Sequence, residues 1–144
     1  MRLFIDCEFN EFRGELISMA LVSEAGDLWY EVLPCSNPGP WVAENVIPRL
    51  GKDALAGPAD LSASLQRFLL QFDDVHIVAD WPEDIQHFCQ ALITGPGVRI
   101  NTPPLTMEVL RIDVVSDIPH NALADAVAIR DAVVGNTLVG WMRP

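Results

Sequence analysis

The chain has 144 residues, a formal net charge of −11 and 50% apolar residues. That charge excludes a protein that grips nucleic acid through a broad basic face, but not an enzyme whose acids are neutralised by bound metal ions. The length suits a single domain over 1–144 with a real hydrophobic core, and nothing in the composition signals disorder.

RLFIDCEF (2–9), LISMALVS (16–23) and DLWYEVL (27–33) read as strands, and the short turn SEAGD pairs the last two as an antiparallel hairpin. CSNPGP breaks the chain, and WVAENVIPRL (41–50) predicts a short helix ended near Pro48. A helix starting at Asp60 or Ser62 follows, with Leu61, Leu65, Phe68, Leu69 and Phe72 at helical spacing. VHIVA (75–79) is an apolar strand. Pro82 opens a further helix, with Ile85, Phe88, Cys89 and Leu92 as its expected buried stripe. GVRI (97–100) is the candidate fifth strand, and TPPLTMEVLRID reads as a loop and a short helix. HNALADAVAIRDAVV (120–134) is a helix, and the apolar tail LVGWMRP carries no clear assignment. The order predicts an α/β fold, with a mixed five-stranded sheet whose first three strands form an antiparallel meander, flanked by helices.

Cys7, Cys35 and Cys89 are odd in number and form no CxxC pair, so neither a disulfide framework nor a structural zinc site is expected. No basic-then-apolar leader opens the chain, and no apolar run approaches a membrane span. The expectation is a soluble cytoplasmic protein without a membrane partner.

Three groups of acids stand out. Side chains alternate along a strand, so Asp6 and Glu8 share a face with Phe4, while Leu3, Ile5, Cys7 and Phe9 share the other. Such a pair is either a strand end running into solvent or two carboxylates converging on a hard cation. In VADWPEDIQHF, Asp80 followed by Pro82 and Glu83 has the pattern of an N-cap with a capping-box partner. Asp84 lies in the first helical turn near a strand's C-terminal end. Ligand sites gather there, and a carboxylate is also favoured there by the helix dipole alone. In PHNALADAVAIRDA, His120 and Asp125 would be roughly 140° apart on one helix, so His120 belongs on the loop at Pro119 with Asn121 as cap. Ala122, Ala126, Ile129 and Val133 then form the buried stripe. Asp131 points into solvent, and Asp125 sits at the margin of the core, where a metal or an arginine would partner it.

The set of DxE on the first strand, Asp at a strand–helix junction and H-x4-D on the last helix resembles the DEDD exonucleases, in the branch with a histidine in the last motif. FIDCEFNEFRGELISMALVSEAGDLWYEVL followed by WVAENVIPRL looks like the small bacterial 3'-5' exoribonucleases typified by the mycobacterial polyadenylate-preferring ribonuclease, where a W-V-x-E-N-V-x-P segment also follows the hairpin. The similarity extends to about residue 130. It implies a ribonuclease H-like fold, with Asp6 and Glu8 as the first motif, Asp84 as the second, and His120 and Asp125 as the third. ADWPE departs from the aromatic or small residues common before the second motif, which leaves Asp80 as a fallback ligand.

What the resemblance implies is hydrolysis at the 3' end of single-stranded RNA, releasing nucleoside 5'-monophosphates. Asp6, Glu8, Asp84 and Asp125 would hold two divalent cations about 4 Å apart, stabilising the attacking and leaving oxygens. Magnesium or manganese suits an all-oxygen site. His120 would be the general base, a role for which an imidazole's intrinsic pKa of about 6.5 is suited. Phe9, Phe12 and Trp81 flank the motifs and could stack on bases, with packing as their alternative. Met19 and Leu21 read as core, and Trp29, Trp41 and Trp141 as packing residues. A homodimer is suggested by the resemblance, with weak support from the apolar tail. The competing readings are a DNA 3'-5' exonuclease on the same fold, an endonuclease, and a non-catalytic nucleic-acid or nucleotide-binding module.

Overall fold

The computed structural model describes residues 1–141. Strands β1 (Arg2–Phe9), β2 (Leu16–Ser23) and β3 (Leu28–Val32) form the expected antiparallel meander. Chain reversal after β3 leads through α1 (Pro40–Asn45) and a 3-10 turn at Ile47–Arg49 to α2 (Pro58–Leu69). Then come β4 (Val75–Ala79), α3 (Pro82–Leu92), the short strands β5 (Ile93–Gly95) and β6 (Val98–Arg99), β7 (Leu105–Val109) and α4 (Ala122–Val134).

The main sheet has five strands in the order β3-β2-β1-β4-β7, with β1, β4 and β7 parallel. It is an α/β fold with a mixed sheet flanked by helices. The fifth strand is not GVRI. Val98–Arg99 pairs only with Ile93–Gly95 in a separate hairpin, and the loop-and-helix expectation for TPPLTMEVLRID is replaced by β7. β7 lies at the sheet edge and keeps Val109 45% exposed, so its five residues carry no strong apolar alternation.

The two faces of the sheet are covered differently. Leu3, Ile5, Cys7, Met19, Leu21 and Ile77 pack with Leu61, Leu65, Leu69 and Phe88 of α2 and α3. Each fully buried leucine there contributes about 1.5–3 kcal/mol relative to exposure. The opposite face is covered by α4, through Ala122, Ala126 and Val127 against Ala20 and Val22, and Ile129 against Phe4 and Val78. Asp6 and Glu8 share Phe4's face, so they look toward α4.

Three local expectations are corrected. α2 begins at Pro58, in the first turn after Gly57, rather than at Asp60 or Ser62. The buried side of α3 carries Asp84, His87, Phe88 and Ala91, turning Ile85, Cys89 and Leu92 to its margin. Asp131 is not a solvated acid: its Oδ1 accepts from Arg130 Nη1 at 2.8 Å and from the Leu138 N–H at 3.0 Å. Its carbonyl also caps α4, accepting the N–H of Gly135, whose φ of 84° suits the left-handed end of a helix. In the tail, Leu138 and Trp141 pack on the cluster of Ala20, Val22 and Val127, whereas Val139 is 90% exposed. Met142, Arg143 and Pro144 lie outside the described residues. No described helix is long and apolar enough to cross a membrane.

Candidate active site

β1 pairs with β4 only as far as Phe4↔Val78, while its pairing with β2 continues to Phe9. Beyond Phe4 the two parallel strands part, and a crevice opens at their C-terminal ends, where α/β sheets bind ligands. A cavity of about 480 Å³ lies there, and Asp6, Glu8, Asp84, His120 and Asp125 all line it. Sequence positions spread across the chain therefore converge, delivered by β1, α3, α4 and the loop before α4.

Asp6 and Glu8 come from β1, which has a register shift between Glu8 and Phe9. Asp84 comes from the first turn of α3, on the other side of the sheet. It reaches the site because its Oδ1 accepts the Cys7 N–H at 3.2 Å, a donor that β4 no longer pairs. That bond explains why an aspartate is 2% exposed on the core side of α3. Asp125 arrives from α4. Its Oδ1 accepts from the Ser116 hydroxyl, and its Oδ2 from the His120 N–H at 3.2 Å.

His120 sits on the loop before α4, as expected, with φ at 67°. Asn121 caps the helix through Oδ1 and the Ala124 N–H at 2.9 Å. Its Nδ2 donates to the Arg49 carbonyl at 2.6 Å. The imidazole meets the edge of Trp41 with ring centroids 4.8 Å apart and planes at 81°. The tryptophan segment after the hairpin thus seats the histidine loop. Trp41 is corrected from a packing residue to a 50%-exposed wall of the cavity.

Asp80 is not an N-cap. The cap residue of α3 is Trp81, with no side-chain cap bond, and Glu83 instead accepts from Trp81 Nε1 at 3.2 Å. The Asp80 carboxylate lines the cavity with the others. Sequence reasoning missed Trp41 and Glu11 in the cavity wall and Ser116 behind Asp125. Glu11 carried a weak signal, two residues past Phe9. Its carboxylate lies over Gly39, where a side chain at that position would push it aside.

The proposed stacking residues separate. Phe9 and Trp81 line the cavity. Phe12 stands outside it, 79% exposed, with the Arg13 guanidinium over its ring at 5.0 Å. Phe9 also stacks on His87, centroids 5.0 Å apart, and His87 lines a larger groove of about 910 Å³ with Gln86, Gln90 and Arg13. The Phe9–His87 pair is the partition between cavity and groove. Burial holds the His87 imidazole below its ordinary pKa, which favours the neutral ring.

The electrostatics of the cavity are one-sided. Burial, then Asp84 and Glu8, raise the Asp6 carboxyl well above the usual carboxylate range. Glu8 is pushed up to about 8 by burial, then by Asp125 beside it. Asp84 is pushed up to about 8 by burial, then by Asp80. Burial also raises Asp80 and Asp125, the latter opposed by its bonds from Ser116 and His120. Two sets of three carboxylate oxygens, from Asp6, Glu8 and Asp125 and from Asp6, Asp80 and Asp84, each lie within 4.8 Å of one another. Asp6 Oδ2 and Asp84 Oδ2 are buried with no hydrogen-bond partner. Orphaned oxygens of this kind fit hard divalent cations, and the all-carboxylate make-up of both triplets fits magnesium or manganese better than zinc.

No protein-family model matches the chain, and no curated protein matches its sequence.

Proposed function

We propose that the chain is a metal-dependent 3'-5' exoribonuclease of the DEDD type with a histidine general base, on a ribonuclease H-like fold. One observation carries this reading. Two carboxylate triplets share Asp6 beneath one cavity, with buried unpaired oxygens on Asp6 and Asp84 and His120 in the same wall. Asp6, Glu8, Asp84 and Asp125 would hold two divalent cations, which when bound supply the charge that offsets a phosphate displacement at its attacking and leaving oxygens.

The chain's own residues divide the remaining work. His120 takes the proton of the attacking water as its oxygen bonds to the phosphorus of the last phosphodiester. The bond from phosphorus to the upstream 3' oxygen breaks, and that oxygen takes a proton from solvent. The products are a nucleoside 5'-monophosphate and a strand one nucleotide shorter. Asp125 fixes the histidine loop through the His120 N–H, and Trp41 packs edge-on against the imidazole. The 910 Å³ groove beyond Phe9 and His87 is where the terminal base would lie, with Gln86, Gln90 and His87 to meet its edges. An acidic chain suits this, since a few nucleotides are held by stacking and base contacts more than by phosphate charge.

The test is a 5'-labelled single-stranded RNA oligomer incubated with magnesium, beside a DNA oligomer and a circular RNA. The expected result is a one-nucleotide ladder from the 3' end of RNA, absent in chelator. An equal ladder on DNA would reassign the substrate, and cleavage of the circle would replace the exonuclease with an endonuclease. Binding without cleavage would leave a nucleic-acid-binding module.

A further inference from the structure

The resemblance assigns four carboxylates to the metal centre, and the cavity wall holds two more, Glu11 and Asp80, of which Asp80 joins a carboxylate triplet. Asp80 follows the last residue of β4, at the point where β4 and β1 part. It caps no helix, and among the described residues no ion pair involves it. Its carboxylate oxygen lies within 4.8 Å of those of Asp6 and Asp84. Asp84 is 2% exposed, and its Oδ2 is buried without a hydrogen-bond partner, as is Asp6 Oδ2. A buried carboxylate oxygen with no donor is costly unless a cation or proton reaches it.

We propose that Asp80 is a direct ligand of the second divalent cation, completing with Asp6 and Asp84 an all-carboxylate site that fills before any substrate arrives. This rests on the reading of the carboxylates as a metal centre and extends it. Magnesium-class ions are commonly held by one or two carboxylates and complete their shell with substrate phosphate oxygens. Here the triplet of Glu8, Asp125 and Asp6 serves one ion, and Asp80 gives the other ion three protein carboxylates as well. Affinity for a hard cation rises with the number of charged ligands, so both ions would reside in the substrate-free protein. The alternative role for Asp80 is to share a proton with Asp84, which an asparagine amide would imitate.

The experiment strips the full chain with chelator and titrates it with manganese, counting free ion by electron paramagnetic resonance, with no nucleic acid present. Two bound ions are expected for the wild type and one for Asp80→Asn, with Asp80→Ser as a second variant and circular dichroism as the check on folding. Glu8→Gln should leave the Asp80 ion in place. Two ions in both Asp80 variants would overturn the proposal and point to the shared proton. One ion in the wild type would overturn it too. The exonuclease reading fails separately: two ions in the wild type with no RNA ladder would remove the activity and leave the site. A ladder from a protein that binds one ion with or without Asp80 would do the reverse. No bound manganese at all would remove both.

Discussion

At its first residues β1 carries charge in matched pairs. The Arg2 guanidinium lies 3.1 Å from the Glu24 carboxylate, and the amino terminus 2.7 Å from Asp74. Arg130, 6% exposed, holds Asp131 at 2.8 Å and the Glu24 carbonyl at 2.7 Å. At its far end the same strand delivers Asp6 and Glu8 to Asp80, Asp84 and Asp125, and among the described residues the only side chain in that cavity wall able to become cationic is His120. The titration behaviour diverges accordingly. The hydrogen bond from Arg2 lowers Glu24, whereas burial and a neighbouring acid push Glu8 up to about 8. Paired charges at one end tie the β2–β3 turn and the end of α4 to the sheet. Unpaired charges at the other end oppose folding until a counter-charge arrives, which is the mark of a site rather than of a scaffold.

The contrast can be broken most severely at Asp6, which belongs to both triplets. Asp6→Asn should abolish the RNA ladder while raising the midpoint of thermal unfolding in chelator, because a repelling charge is gone. Unchanged turnover would end the two-cation reading. His120→Ala should slow single-turnover hydrolysis by roughly 10²–10⁴-fold. Its manganese count should stay that of the wild type, separating proton transfer from metal holding.

At the paired end the expected loss is in stability and not in rate. Arg130→Met removes the guanidinium that donates to Asp131, to the Glu24 and Asn136 carbonyls and to Asn136 Oδ1, and should cost about 3 kcal/mol in urea unfolding. Single-turnover hydrolysis under folding conditions should be unchanged. A large fall in rate without unfolding would mean the two ends are coupled.

The pH dependence sharpens the same comparison. Glu8 and Asp84 have ordinary values of 4.5 and 3.8, and each is raised to about 8 in the folded protein. Between about 4 and 8 the folded state therefore binds more protons than the unfolded one, so stability without metal falls as pH rises through that window. Chelator-treated protein should melt at a lower temperature at pH 8 than at pH 5.5, and manganese should reverse the order. The smallest effect belongs to Arg2→Met. That pair is about 40% exposed on each side, and its loss should cost less than about 1 kcal/mol in urea unfolding.

Much of this was legible in the chain. Alternation gave β1 to β3, the leucine stripe gave α2, and the acids with His120 gave one cavity. What escaped was set by pairing rather than by pattern. β7 is an edge strand whose order comes from parallel bonds to β4, which no local period announces. GVRI has a strand's composition but finds only the local partner Ile93–Gly95. On α3 the apolar stripe located Phe88 but not the polar residues beside it, because Asp84 is buried for its bond to Cys7 and His87 for its contact with Phe9. Asp80 has a capping sequence, yet the divergence of β1 and β4 draws it into the crevice. Trp41 gave no sign of touching His120, since that contact joins α1 to the loop before α4.

That contact also makes the protein its own optical probe. Trp41 is half exposed and stands edge-on to the imidazole, so its indole emission is sensitive both to solvent and to the charge on the neighbouring ring. A nucleotide entering the cavity would shed water from the indole and change what lies beside the histidine. Occupancy of the site could then be followed in real time by the unlabelled chain's own fluorescence, with Trp41→Phe as the reference that separates its signal from those of Trp29, Trp81 and Trp141.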